Sequence, residues 1–438
     1  MTFTTPCDRF SLIPLGCAKN MVDSEIIAGT LMAAGARFVD SGDSPDWLII
    51  TTCAFIESAK QESINTILKA AAEKDANTRL AVVGCLVQRY GEELLAAIPE
   101  IDLLVGVNHE HDLPRVLTQH QRRVIMRPRR EFTPPGRETT RCLFSSENLY
   151  AYLKIADGCS RACRYCIIPR LRGAFHSKPL PYILQEARAL TEQGIREINL
   201  VSQDTVAYGR DLIPGRDLVT LLEGLDALTG RFYLRLLYLN PAGVTDKLIK
   251  AVRDLDKVPP YFDIPIQHIS NRVLERMGRQ SKERDIRRVL ERVRSLIPGA
   301  TIRTTVMVGF PGETDADFEQ LLAFIEQAEF DRLGAFVYSD EPWAKAHRMD
   351  NKVPADIAAL RRDGIMAAQQ RVALRKNRRV IGTIQPAIVG AYEARLLSQA
   401  PEIDGVLTLE TSVPAGLYRV RVTAAGPYDF HGEVVHAA

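Results

Sequence analysis

The stretch Gly158-Cys-Ser-Arg-Ala-Cys-Arg-Tyr-Cys-Ile167 places Cys159, Cys163 and Cys166 within eight residues of one loop. Three thiolates at this spacing suit three corners of one iron–sulfur cube and leave its fourth iron open for chemistry. A structural zinc site closes its shell with four ligands in two close pairs, and the nearest other cysteine, Cys142, lies seventeen residues upstream. Iron–sulfur is therefore the better reading. Three incidental core cysteines would be the bland alternative, but three of the chain's eight cysteines crowd into this loop of glycine and arginine.

The spacing C-x3-C-x2-C, with Tyr165 before its last cysteine, resembles the signature of the radical S-adenosylmethionine (SAM) enzymes. In that family the open iron binds the amino and carboxylate groups of SAM. An electron from the cluster then cleaves SAM to a 5'-deoxyadenosyl radical, so the cofactor carries the hard chemistry and the protein supplies position and electrostatics.

Around the loop, six apolar segments alternate with helical ones: Tyr150 to Ile155, Glu197 to Val201, Phe232 to Leu239, Tyr261 to Ile266, Thr301 to Val308 and Leu333 to Tyr338. Six βα units predict an incomplete parallel barrel, whose chemistry belongs at the carboxyl ends of its strands. Polar residues collect there: Ser202-Gln-Asp-Thr205, Asn240, Gln267-His268, Gly309-Phe-Pro-Gly-Glu313 and Ser339. A Gly-Pro turn before the helix expected at Asp315 to Ala328 is common punctuation, and a lone His268 is more often structural than catalytic.

The first 120 residues predict an open parallel sheet, with strands at Phe10 to Pro14, Trp47 to Thr51, Leu80 to Val83 and Leu103 to Val105. Cys17, Cys53 and Cys85 each sit just past one of the first three strands, at the edge where ligands of doubly wound sheets gather. One such cysteine is usually a small core residue. Three at equivalent places point to a second three-thiolate cluster.

Residues 121–141 hold seven arginines, two glutamates and the turn Thr133-Pro-Pro-Gly136, which predicts a solvated linker in preference to a nucleic-acid contact by the arginines. After a helix expected from Ala355 to Arg379, short β-rich runs at Thr383 to Val389, Gly405 to Leu409, Gly416 to Val422 and Asp429 to Val435 predict a small β-barrel. Val380 to Ala438 carries Arg395, Arg419 and Arg421 against Glu393, Glu402, Asp404, Glu410, Asp429 and Glu433, a net charge of -3. Such a surface repels a phosphate backbone and attracts a basic protein.

Composition excludes little beyond this. The 438 residues are 46% apolar and 25% charged with net charge +2, an ordinary globular composition that names no partner. No apolar run approaches the roughly 18 residues of a membrane span, and no secretory leader pattern opens the chain. Cysteines grouped as cluster ligands suit a reducing compartment, so a cytoplasmic protein free of membranes is expected.

Taken from Leu15 to Glu433, the chain resembles the methylthiotransferase family of radical SAM enzymes, and within it the branch that acts on an aspartate of ribosomal small-subunit protein S-twelve. The phrases that carry this are Leu15-Gly-Cys-Ala-Lys-Asn-Met-Val-Asp-Ser-Glu25, Gly84-Cys-Leu-Val-Gln-Arg-Tyr-Gly-Glu92, Ile167-Ile-Pro-Arg-Leu-Arg-Gly173, Val201-Ser-Gln-Asp-Thr-Val-Ala-Tyr-Gly209, Asp263-Ile-Pro-Ile-Gln-His268 and Val308-Gly-Phe-Pro-Gly-Glu-Thr314. The resemblance implies an α/β protein of three domains: an N-terminal parallel-sheet α/β domain (1–120), a partial (β/α)6 radical SAM barrel (142–379) and a C-terminal TRAM β-barrel (380–438). It also implies two 4Fe-4S clusters, a SAM-binding one on Cys159, Cys163 and Cys166 and an auxiliary one on Cys17, Cys53 and Cys85.

Tyr165, Gln203, Arg303 and Gly309 are the candidate SAM contacts. By the same resemblance, one SAM methylates a sulfur species at the auxiliary cluster, and a second yields the radical that abstracts hydrogen from the aspartate β-carbon. A C–H bond beside a carboxylate is too weakly acidic for simple base chemistry, which fits the want of a paired general acid and base in the sequence. An electron donor is a further implied partner, and a monomer is expected.

Two positions depart from the family pattern: Thr51 stands where asparagine is common, and Asp340-Glu-Pro-Trp-Ala-Lys345 replaces a Glu-Glu-Gly-Thr stretch. Trp343 is then either a packing residue or a contact to the target protein. The rival readings are the sister branch that modifies a transfer RNA adenosine, and a non-enzymatic electron-transfer or RNA-binding iron–sulfur protein. Cys7 and Cys142 fall outside both triads, and the sequence assigns them no role.

Overall fold

The computed structural model describes residues 8–118, 123–125, 141–212 and 215–437. Cys7 and most of the expected linker lie outside them. Two compact units emerge: Met1–Phe144 with Asp157–Arg161 and Cys166–Lys178, and Ser145–Ala156 with Ala162–Tyr165 and Pro179–Ala438.

The first unit is built on a six-stranded sheet in the order Arg37–Phe38, Arg9–Pro14, Trp47–Thr52, Arg79–Gly84, Leu103–Val105, Arg123–Ile125. Every pairing is parallel, with Phe10 opposite Trp47, Ile49 opposite Ala81 and Ala81 opposite Leu103. Trp47–Thr52 is buried at all six positions, as a central parallel strand covered on both faces must be. Helix Ala18–Ala33 lays Ile27, Ala28 and Leu31 against Phe10, Trp47 and Ile49. Arg123–Ile125 falls in the segment expected as a linker but adds an edge strand beside Leu103–Val105. Three residues among arginines are too few to show a period.

In the second unit the six expected barrel strands form two three-stranded parallel sheets. One orders Tyr233–Leu236, Glu197–Val201, Tyr150–Lys154; the other orders Tyr261–Asp263, Thr301–Val308, Arg332–Val337. The ladders stop early at the seam because Tyr238 takes a left-handed φ of 60° and its N–H donates to the Asp263 carboxylate at 2.9 Å. Pro265, which has no N–H to donate, sits just beyond Asp263. Across the seam, Leu234 N–H donates to Lys257 O and Leu239 N–H to Asp263 O, each at 2.8 Å.

Helix Ala355–Arg378 leads to a five-stranded sheet ordered Ala394–Leu396, Ile384–Val389, Gly416–Ala425, Phe430–Ala437, Leu407–Leu409. Its strands wrap a core of Leu396, Leu407, Val420, Val422 and Phe430 into a nearly closed barrel.

This small barrel supplies the floor of the larger one. Glu197, at the first position of its strand, accepts from Arg235 Nε at 2.5 Å and pairs with Arg395. Arg303 pairs with Asp263 at 3.0 Å and with Asp404 at 3.3 Å, while Tyr261 donates to Asp404 at 2.5 Å. Arg395 and Asp404, counted from sequence among the surface charges, are therefore buried ion-pair partners. One charge of each sign is withdrawn, so the -3 balance of the domain stands. Among the described residues, no helix is long and apolar enough to cross a membrane.

Candidate functional site

Three turns bring Cys17, Cys53 and Cys85 together at the carboxyl edge of the first sheet. Cys17 caps helix Ala18–Ala33, Cys53 follows strand Trp47–Thr52, and Cys85 opens helix Cys85–Ala97. A thiolate at a helix amino end faces unpaired N–H groups and the positive end of the dipole. Two glycines allow the approach. Gly16 has φ of 101°, and a Cβ there would lie 2.9 Å from Cys53 Cβ; Gly84 has φ of 109°, and a Cβ there would lie 2.9 Å from Thr52 O.

Polar side chains brace these turns. Asn20 Nδ2 donates to Leu15 O at 3.2 Å and to Thr52 O at 2.9 Å, while Thr52 Oγ1 donates to Val83 O at 2.8 Å. Thr51, the departure from the family pattern, keeps a bracing role: its Oγ1 lies 2.7 Å from Ser24 Oγ and accepts from Leu15 N–H at 3.4 Å.

The three thiols are not equivalent. Burial pushes Cys53 up, helped by the nearby Cys17 charge, and pushes Cys85 to about 12 against the opposing charge of Arg172. At Cys17 the surrounding protein also penalises the thiolate, but Lys19, Arg172 and backbone N–H groups outweigh it and hold the thiol below its ordinary value. Among the described residues, no group of His, Cys, Asp or Glu is gathered closely enough to grip a single metal ion. A cube spreads its thiolates over three irons, so its cysteines stand further apart than the ligands of one ion. Three cysteines with a buried cation fit that larger group.

Arg172, passed over in the sequence reading, is the cation. Its Nη1 donates to Asp157 at 3.0 Å and its Nη2 to Asn20 at 2.7 Å and Asp23 at 2.9 Å. The cysteine loop leaves from the same place: Cys159 N–H donates to Gly173 O at 3.1 Å, and a Cβ on Gly158 would lie 2.1 Å from Ala174 O. Only its place in the phrase Ile167 to Gly173 signalled Arg172.

Within the second unit, Cys163 has Arg279 Nη1 at 4.0 Å, and Arg279 also faces Tyr165 and Asp204 while donating to Pro265 O at 2.8 Å. No motif pointed to Arg279. Tyr165 meets Phe310 edge to face at 6.4 Å, in a cluster with Met277, Met307 and Tyr338. Gln203 follows strand Glu197–Val201 beside the buried Asp204.

Gly309 turns the chain at φ of 75°, where a Cβ would lie 2.5 Å from Ala358 Cβ. The turn then closes as Phe310 N–H donates to Glu313 at 3.2 Å, and Glu313 pairs with Arg361 at 3.0 Å. Arg303 is not brought to this end. It stands six residues before Gly309, roughly 20 Å along an extended strand, and its guanidinium is engaged by Asp263 and Asp404.

His268 is fully buried, accepts from Ser270 N–H at 3.0 Å and is held neutral to about pH 4 by burial. Trp343 is half-buried in the departing loop, where Asp340 accepts from Tyr338 at 3.0 Å and pairs with Lys352. Cys142 is half-buried against the first core, its N–H on Glu25 O at 3.1 Å.

Comparison with known proteins agrees with this layout. Residues 9–106 match the uncharacterized protein family UPF0004, 153–325 the radical SAM superfamily and 382–435 the TRAM domain. A protein of Geotalea uraniireducens named "Ribosomal protein uS12 methylthiotransferase RimO" is 43% identical over 98% of this chain and 98% of its own. One of the same name from Aquifex aeolicus is 39% identical over 98% of each. The chain belongs to the RimO family of radical SAM methylthiotransferases. Two 4Fe-4S clusters and SAM are the cofactors of such an enzyme. Among solved structures, the cobalamin-binding radical SAM methyltransferase TsrM of Kitasatospora setae superposes with a TM-score of 0.58 at 14% identity, over 78% of this chain and 74% of its own. OxsB reaches 0.53 at 14% identity, over 82% and 56%. These two likenesses concern the fold alone.

Proposed function

We propose that this chain methylthiolates the β-carbon of an aspartate in ribosomal protein uS12. The convergence of Cys17, Cys53 and Cys85 carries the reading. Generating a radical asks for one cluster, so a second triad of thiols supports a reaction that also delivers sulfur. When bound, the two clusters and SAM supply the radical that removes hydrogen from an unactivated C–H bond and the methylated sulfur that replaces it.

The chain's own residues hold and orient. Cys159, Cys163 and Cys166 would hold the SAM-binding cluster, and Cys17, Cys53 and Cys85 the auxiliary one. Tyr165, Gln203 and the Gly309 turn would line the SAM site, with Arg279 as a cation beside Cys163. Arg303 would serve the barrel floor. We assign uS12 from the names of the relatives, and the acidic C-terminal barrel fits a basic ribosomal protein. The enzyme would work in the cytoplasm as a monomer, fed by an electron donor.

Mass spectrometry of ribosomal proteins and transfer RNA from a strain lacking the gene tests this. Unmodified uS12 with normally modified transfer RNA is expected. Intact uS12 modification with methylthio groups missing from transfer RNA would favour the sister activity.

A further inference from the structure

One guanidinium reaches both cysteine segments of the first unit. Arg172 is 3% exposed and contacts Asp157, Asn20 and Asp23, and its charge favours the thiolates of Cys17, Cys53 and Cys85 alike. Asp157 lies two residues before Cys159 and accepts from Gly158 N–H at 2.7 Å. Asn20, three residues past Cys17, ties Leu15 to Thr52 and so joins the turns that present the other thiols. A solvated arginine would do none of this.

We propose that Arg172 is a positioning residue that locks the Cys17, Cys53, Cys85 triad to the root of the Cys159 loop, and that its charge raises the reduction potential of the cluster held by that triad. The inference rests on the cluster assignment above. Reduction adds one electron to a group already bearing three thiolates. A buried cation close to those thiolates, out of water, favours the more negative state. Asp23 and Asp157 temper the charge while the guanidinium occupies them. Without it they face the cluster unpaired and oppose the electron, so both effects of losing Arg172 lower the potential.

The outer partners of metal ligands tune potential and ligand orientation together, so the two parts of the proposal can be read separately. Arg172→Lys keeps the charge as a point but cannot span Asp157, Asn20 and Asp23 at once. Arg172→Gln loses the charge. Asp23→Asn removes a carboxylate, leaves the guanidinium less neutralised and shifts the potential upward. A residue that only supports the fold would not move the potential in opposite directions in the last two variants.

The test is a redox titration of the reconstituted full-length protein followed by electron paramagnetic resonance, in which added SAM marks the barrel-cluster signal. For the other cluster, Arg172→Gln should cut the reduced-to-oxidised ratio at fixed potential at least ten-fold, about 59 mV for a one-electron couple. Arg172→Lys should move it by less than half of that, and Asp23→Asn should move it upward. If Arg172→Gln does not load iron, the lysine and asparagine variants carry the test. Unmoved potentials, or shifts of one sign, with the auxiliary cluster loaded would overturn the inference. Absence of iron from the triad in the unaltered protein would instead overturn the cluster assignment.

Discussion

Glu197→Gln should break the floor of the larger barrel. The Glu197 side chain is fully buried and its carboxylate answers two guanidiniums, Arg235 at 0% and Arg395 at 2% exposure. Removing one partner of a buried pair costs about 3–5 kcal/mol, because a buried charge is left uncompensated. Some compensation survives here: Arg235 donates to Leu397 O at 2.9 Å and lies 4.4 Å over the Tyr261 ring, while Arg395 lies 5.4 Å over Tyr150. The lower part of that range, about 3–4 kcal/mol, is therefore expected.

Scanning calorimetry should show this as a fall of roughly 6–8 °C in the second unit's transition, at about 2 °C per kcal/mol for a unit of this size. The pH dependence gives a second readout. Burial alone would raise the Glu197 pKa, but Arg235 and Arg395 more than offset it and hold it below the ordinary value. Its contribution is then complete above a pH of about 4.3 and fades as pH falls through the lower folded pKa. Glu197→Gln should remove that acid-sensitive part. Replacing Glu197, Arg235 and Arg395 together by methionine should recover most of the loss, since an apolar filling needs no partner. A Glu197→Gln protein melting within about 1 °C of the unaltered one would refute the reasoning.

Changing Cys159, Cys163 and Cys166 to alanine should lower bound iron from about eight to about four atoms, whereas changing Cys17, Cys53 and Cys85 should keep SAM cleavage to 5'-deoxyadenosine and abolish methylthiolated product; unchanged iron, or zinc in its place, would contradict both triads. Gly309→Ala should cost about 1–3 kcal/mol in chemical denaturation through left-handed strain and the clash with Ala358, and Ala358→Gly should recover only the clash. His268, neutral in the fold down to about pH 4, binds its proton earlier when unfolded, so stability should drop by roughly 3 kcal/mol as pH falls from about 6.5 to 4; His268→Gln should flatten that limb. Changing the exposed Glu410 and Glu433 to lysine should slow association with uS12 and weaken its salt dependence without altering SAM cleavage, and an unchanged association rate would count against electrostatic steering.

Much of the site was legible because spacing along a chain reports local geometry directly. Three cysteines within eight residues must share a loop, and three others, each one turn past a parallel strand, must share a sheet edge. The barrel strands were legible too: Glu197–Val201 and Thr301–Val308 have the bounds their apolar runs suggest. The division into two three-stranded sheets was not. It turns on one left-handed residue, Tyr238, a position that carries tyrosine and not the glycine or asparagine that would signal such a backbone.

By itself, then, the sequence determined the α/β architecture, the small C-terminal barrel and the six thiols. Periodicity and spacing are local quantities that survive in one dimension. Tertiary structure decided which charges are working parts. Arg172, Arg395 and Asp404 look like any solvated charges in the chain, yet each is buried against partners far away in sequence: Asp23, Glu197 and Arg303. A charge leaves water only where an opposite charge and hydrogen bonds await it, and that meeting is made by the fold.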